Sequence, residues 1–272
     1  MGKSMPHRLR AYAERRGGRF MDSRGRTEKQ FFQESNTLSA IIQKIRRTLR
    51  QEADEKTRAT GNTFFKEPVQ LHGVKSAQVS KIAKTFFQQI QGQSKTHVFA
   101  LCEELWRCGF LEESFIACHW SYAVRNQYEP ADLEIFERWL HEYVDNWASC
   151  DTLCNHTIGS FMVMYPRCLS RLKTWAQSSD RWLRRAAAVS LIIPAREGKF
   201  LQDIFAIADS LLLDEEDLVQ KGYGWMLKAA SQAHQQKVFD YVCAHKATMP
   251  RTALRYAIEK MPKALKEKAM AK

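Results

Sequence analysis

Apolar residues recur at helical spacing from Thr37 almost to the end of the chain. Leu38, Ile41, Ile42, Ile45 and Leu49 follow i, i+3, i+4 steps, with Lys44, Arg46, Arg47 and Arg50 outside the stripe, so the spacing predicts an amphipathic helix. After a polar break come Phe64-Phe65-Lys66-Glu67-Pro68. Ser76 then reads as the N-cap of a helix carrying Val79, Ile82, Ala83, Phe86 and Phe87. Ser94 starts another, with Val98, Leu101, Leu105 and Trp106 inward, and Gly109 stops it. Residues 112–125 form the next, and Pro130 opens a helix in which Leu133, Phe136, Leu140 and Tyr143 repeat the spacing. A further helix begins in the stretch from Val144 to Asp151. Residues 158–165 and 168–175 read as a pair interrupted by Pro166, and Asp180 caps 181–193. Segments 199–212, 214–231, 235–245 and 251–266 continue the series, and no run alternates as a strand would.

Helices of roughly 10–18 residues, pairing about every 35–45 positions, predict an all-α chain of HEAT-like α-solenoid type, although identity between its units is faint. Its concave wall would be a cleft able to take an elongated ligand such as a duplex. The helical repeat spans 37–272, and residues 1–36, with Arg-Arg-Gly-Gly-Arg and little periodicity, read as a basic arm. The net charge of +12 is concentrated there: residues 1–50 hold 13 Lys/Arg against 4 Asp/Glu. Basic arms commonly meet nucleic acid or another polyanion. Seven scattered cysteines suit free thiols in a reducing cytosol, which makes a cytoplasmic protein the expectation. They complete no zinc set, so neither metal nor cofactor is expected. No apolar run approaches the ~18 residues of a membrane span, and the first residues lead into no signal-peptide core.

The chemistry is placed at Val144–Asp151. In a helix, Trp147 and Asp151 stand four residues apart and share a face. An indole attracts cations by ~0.5–2 kcal/mol, and a carboxylate adds full charge or positions a water. Two later segments put aromatic and cationic residues within a turn of one another: Asp180-Arg181-Trp182-Leu183-Arg184-Arg185-Ala186 and Gln220-Lys221-Gly222-Tyr223-Gly224-Trp225-Met226-Leu227-Lys228. Glycine inside a helix costs ~1 kcal/mol relative to alanine, so Gly222 and Gly224 point to a packing or access requirement. Trp106, Trp120, Trp139, Trp175 and Trp182 are assigned to the core. His72 and His156 have no evident partner and read as structural.

From about Thr37 to Lys260 the chain resembles the DNA alkylation repair enzymes of the AlkD type, HEAT-repeat DNA glycosylases. The likeness rests on the order of five blocks: Leu71-His72-Gly73-Val74-Lys75, Glu104-Leu105-Trp106, Trp147 with Asp151, Trp182-Leu183-Arg184-Arg185-Ala186, and Gln220-Lys221-Gly222-Tyr223-Gly224-Trp225. It implies hydrolysis of the N-glycosidic bond of an alkylated purine such as 7-methylguanine or 3-methyladenine in double-stranded DNA. Asp151 falls on the catalytic aspartate, Trp147 and Trp225 on the two cleft tryptophans, and Arg185 on a cleft arginine near the DNA. Phe64 stands where relatives can have tyrosine, Lys228 where they can have arginine, and Ala148 where they can show an acid. Lys66, Lys75, Arg185, Lys221, Lys228 and Arg255 are the candidate phosphate contacts. Monomeric action is the simpler expectation. The competing readings are a non-catalytic HEAT-repeat module for branched or distorted DNA and a protein-binding solenoid.

Overall fold

The computed structural model describes residues 28–271, with side chains from residue 40 onward; residues 1–27, most of the expected basic arm, lie outside them. Helix α1 (Glu28–Gln51) begins earlier than Thr37, and Ile41, Ile42 and Ile45 of its apolar stripe are buried. The chain divides between Thr48 and Leu49, and the packing that follows is internal to the unit starting at Leu49.

That unit runs through α2 (Glu55–Asn62), α3 (Ser76–Phe87), α4 (Lys95–Trp106), α5 (Leu111–Ala123), α6 (Asp132–Glu142) and α7 (Trp147–Thr152). A π-helical turn, Leu153–Ile158, joins α7 to α8 (Gly159–Met164). The chain continues with α9 (Leu169–Trp175), α10 (Arg181–Val189), α11 (Ile192–Arg196), α12 (Leu201–Ser210), α13 (Asp217–Ala230), α14 (Gln235–His245), α15 (Arg251–Ile258) and α16 (Lys263–Met270). Among the described residues there is no strand, only an isolated bridge between Gln70 and Phe110.

Two layers emerge. In one, α3, α5, α7–α8, α10–α11, α13 and α15 pack in succession; the helices between them in sequence form the other. The repeat that sequence identity left faint is plain in the contacts. Glu103 of α4 accepts from Trp139 Nε1 at 2.7 Å and from Arg138 at 2.6 and 3.0 Å, both on α6. One unit on, Glu137 of α6 accepts from Trp175 Nε1 at 2.9 Å and from Arg171 at 2.7 and 2.9 Å, both on α9. The partners are 34 to 38 positions apart, the period of a helix pair. All five tryptophans assigned to the core are buried.

Five expectations need correction. The span 181–193 is two helices, α10 and α11, parted at Ser190 and Leu191. Helix α2 lay within the supposed polar break: it buries no residue, so it has no apolar stripe to read, and the Asp54 carboxylate starts it by accepting from Thr57 N at 2.7 Å. Ser76 is the first helical residue of α3 and Lys75 its cap; the amides of His72, Gly73 and Val74 are taken by the buried Glu112 carboxylate instead. The span 251–266 breaks before Pro262, which lacks the N–H a continuing helix needs. His72 does have a partner, Glu113 Oε1 at 3.1 Å, and its ring stacks on Phe110 at 4.0 Å, so it is a satisfied core histidine.

Candidate active site

Asn146 has extended backbone and its side chain accepts from Ser149 N at 2.9 Å, which sets the start of α7 at Trp147. Trp147 and Asp151 therefore lie one turn apart on one face. Beyond them the turn widens: Leu153–Ile158 is π-helical, an arrangement that concentrates at functional sites. Helix α10, capped by Asp180 through Trp182 N at 2.8 Å, brings Arg185 against α7. Its Nε and Nη2 each donate to a different oxygen of Asp151 at 2.8 Å. Nη1 donates to the carbonyl of Leu218, at the start of α13.

Arg185 is 5% exposed, so it is no free phosphate contact: its fork is spent on Asp151 and on the backbone of α13. The Asp151 side chain retains 13% exposure and opens onto a cleft of about 450 Å³. Burial pushes its carboxyl above the usual aspartate range, and the Arg185 guanidinium pulls it back part of the way. Burial by itself favours the protonated acid, and the ion pair with Arg185 favours the carboxylate.

The same cleft gathers most of the expected residues. Trp147, Asp151, Arg185, Trp225, Phe64, Lys66, Lys221 and Lys228 all line it. Lys75 lines a neighbouring cavity of about 600 Å³ that shares Phe64 and Trp147, and Arg255 is exposed on α15 outside the lining of the cleft. Trp147 is fixed from both sides. Its Nε1 donates to Phe64 O at 3.3 Å, and Phe65 stacks on its ring at 5.5 Å with planes 26° apart. Phe64 itself is left 67% exposed.

Several participants had no signal in the sequence. Tyr256 forms part of the wall, and Lys228 Nζ lies 5.3 Å from the centre of its ring while pairing with Glu259 at 2.8 Å. Lys221 pairs with Asp217 at 2.6 Å, with Lys66 3.9 Å from the same carboxylate. Glu67 reaches Arg181 at 2.8 Å. Only Asp217–Lys221, an i,i+4 pair, was readable locally.

The two glycines of α13 separate. A Cβ on Gly224 would fall 2.7 Å from both Ala253 O and Tyr256 Cβ, so α15 packs there only because the side chain is missing. On Gly222 it would make ordinary contacts at 3.5 Å with Arg185. Gly224→Ala is therefore expected to destabilise the fold by about 1–3 kcal/mol, the usual range for overpacking, while Gly222→Ala, free of any clash, recovers the ~1 kcal/mol that glycine costs inside a helix and raises the thermal midpoint. Equal midpoints for the two variants would refute the packing role of Gly224.

Among the described residues no group of three or more His, Cys, Asp or Glu could hold a metal ion, and no helix is long and apolar enough to cross a membrane. No curated protein matches the sequence. The solved structure of a protein described as a predicted DNA alkylation repair enzyme from Enterococcus faecalis aligns with a TM-score of 0.70. At 16% identity, the alignment covers 78% of this chain and 98% of that one. Likeness at that identity establishes a shared fold, and the two-layer helical stack is that fold. The family described as DNA alkylation repair enzyme matches residues 45–261, a stretch that takes in every helix lining the cleft, and the chain belongs to that family.

Proposed function

We propose that this protein is a DNA glycosylase that hydrolyses the N-glycosidic bond of cationic alkylated purines, such as 7-methylguanine and 3-methyladenine, in duplex DNA. The observation that supports it most is the Asp151 carboxylate, held by Arg185 and opening into a cleft lined also by Trp147, Trp225, Lys66, Lys221 and Lys228. A purine alkylated at ring nitrogen 3 or 7 bears formal positive charge. It departs with the bonding electron pair as a neutral base and needs no general acid. The sugar left behind is oxocarbenium-like, as in glycoside hydrolysis. Asp151 stabilises that cation and orients the water whose oxygen bonds to C1′, with the water's proton passing to the carboxylate or to solvent. The indoles attract lesion and sugar and exclude bulk water, which strengthens the carboxylate's pull. Arg185 acts through Asp151 as a positioning residue.

Lys66, Lys221 and Lys228 serve as phosphate contacts. Each is tied to a partly exposed acid, Asp217 or Glu259, and such exposed pairs contribute ~0–1 kcal/mol, so an incoming phosphate can take the lysine over at little cost.

Duplex DNA carrying 7-methylguanine is expected to lose the free base and acquire an alkali-labile abasic site under single-turnover conditions. Methylated strands that stay intact through prolonged incubation would sink the proposal. Trp225→Ala should slow base release about tenfold, the ~1–2 kcal/mol of one cation–π contact, while undamaged duplex binds almost as before. Equal losses in both measurements would make Trp225 a packing residue.

A further inference from the structure

Helix α5 is buried on every side except one, where Phe115, His119, Tyr122 and Ala123 follow a single stripe. The continuous helix from α7 through the π turn to α8 likewise leaves one stripe open, and it carries Trp147, Asp151, Asn155, His156 and Ser160. The two stripes meet. The His156 ring packs against Tyr122 at 5.4 Å, and the Arg125 guanidinium sits over Tyr122 at 4.4 Å. His119 Nε2 lies 3.2 Å from Ser80 Oγ of α3. Tyr122, Arg125, His156 and Ser160 line an open depression of about 420 Å³ that belongs neither to the Asp151 cleft nor to the cavity beside it. His156, expected to be structural, is exposed on the same stripe as the candidate catalytic aspartate.

We infer that the patch formed by His119, Tyr122, Arg125 and His156 is a second nucleic-acid contact. It grips the phosphodiester backbone of the duplex beyond the Asp151 cleft, and its hold strengthens as the two histidines protonate. The inference rests on the reading that duplex DNA is the substrate. His156 follows Asp151 by five residues, at most about 7.5 Å along the axis at the α-helical rise of 1.5 Å per residue, and less through the wider π turn. Each DNA strand carries a phosphate about every 3.4 Å of axis. A sugar held at Asp151 thus has phosphates within about two steps along the stripe.

The charge of the patch fits a polyanion. Lys84 of α3 lies near His119, Arg125 sits over Tyr122 and lines the depression with His156, and the single carboxylate in the depression, Glu197, is tied to Lys199 at 2.7 Å. Burial lowers the pKa of both rings, and His156 and Lys84 lower that of His119 further, so the free protein disfavours their imidazolium forms. A phosphate placed between them favours the imidazolium form. Binding then takes up protons, and affinity rises as pH falls toward the lowered free-state values, which lie under the ordinary ~6.5.

The test is carried out on the full chain bearing Asp151→Asn, which removes the other titrating group of the stripe. Affinity for an undamaged duplex is followed by fluorescence anisotropy across a salt series near pH 5.5 and near pH 8. The expected result is a slope of log K against log salt steeper near pH 5.5 by about 0.9 for each histidine that engages a phosphate. Adding His119→Gln and His156→Gln should abolish that pH difference and leave the slope near pH 8 unaltered. Adding Arg125→Gln instead should flatten the slope by about 0.9 at both pH values. A pH difference that survives in the double histidine variant, or one absent before the histidines are changed, overturns the second contact while leaving the glycosylase reading in place. No duplex binding at either pH takes down both.

Discussion

Asp151→Asn is expected to reduce single-turnover release of 7-methylguanine at least ~100-fold, about 2.7 kcal/mol of transition-state stabilisation, while duplex binding persists. The asparagine preserves shape and hydrogen-bonding reach but removes the charge opposite the sugar cation. The wild-type rate should also fall on the acid side, because the reaction needs the ionised carboxyl. Burial raises the Asp151 pKa against the pull of Arg185, so the acid limb should lie above the ordinary aspartate value of ~3.9. An unchanged rate in the asparagine variant would remove the carboxylate from the mechanism. A normal carboxylate acid limb would mean that the rate follows some other group.

Arg185→Leu is expected to be the most disruptive single change to the fold near the cleft. It strands a carboxylate that lies almost wholly inside the protein, a defect of about 3–5 kcal/mol when one partner of a buried pair is lost. The sign of its pH dependence follows from the titration. Without Arg185 the folded-state pKa of Asp151 rises further above its unfolded value, so the folded protein binds the extra proton between those two values. Stability of the variant should then decline with rising pH through that window, and the deficit should be larger near pH 7 than near pH 5. Adding Asp151→Asn should restore much of the lost thermal midpoint, since no charge is left unpaired. If the double variant is no more stable than Arg185→Leu alone, the pair is not what the arginine supports.

The helical class and most helix positions were legible because amphipathic spacing is a local property. Ser94, Gly109 and Asp180 mark helix ends through their own side chain or backbone, and the structure has Ser94 and Asp180 at caps and Gly109 with φ 75°. Trp147 and Asp151 were legible as one face for the same reason. The short polar helix α2 and the π turn were not: one buries nothing, and the other places Asn155 and His156 on the open stripe by a change in winding that no residue type announces.

What the chain by itself determined is therefore a succession of amphipathic helices with an acid and an indole on one of them. Tertiary packing decided what those two side chains mean. It sets Arg185 against Asp151 across 34 positions, Phe64 O against Trp147 across 83, and Glu67 against Arg181 across 114. Periodicity reports only which face of a helix turns inward. Which helix it meets, and at what height, depends on summed side-chain volumes along the stack. One missing Cβ, at Gly224, is enough to let α15 close in and bring Tyr256 to the cleft wall.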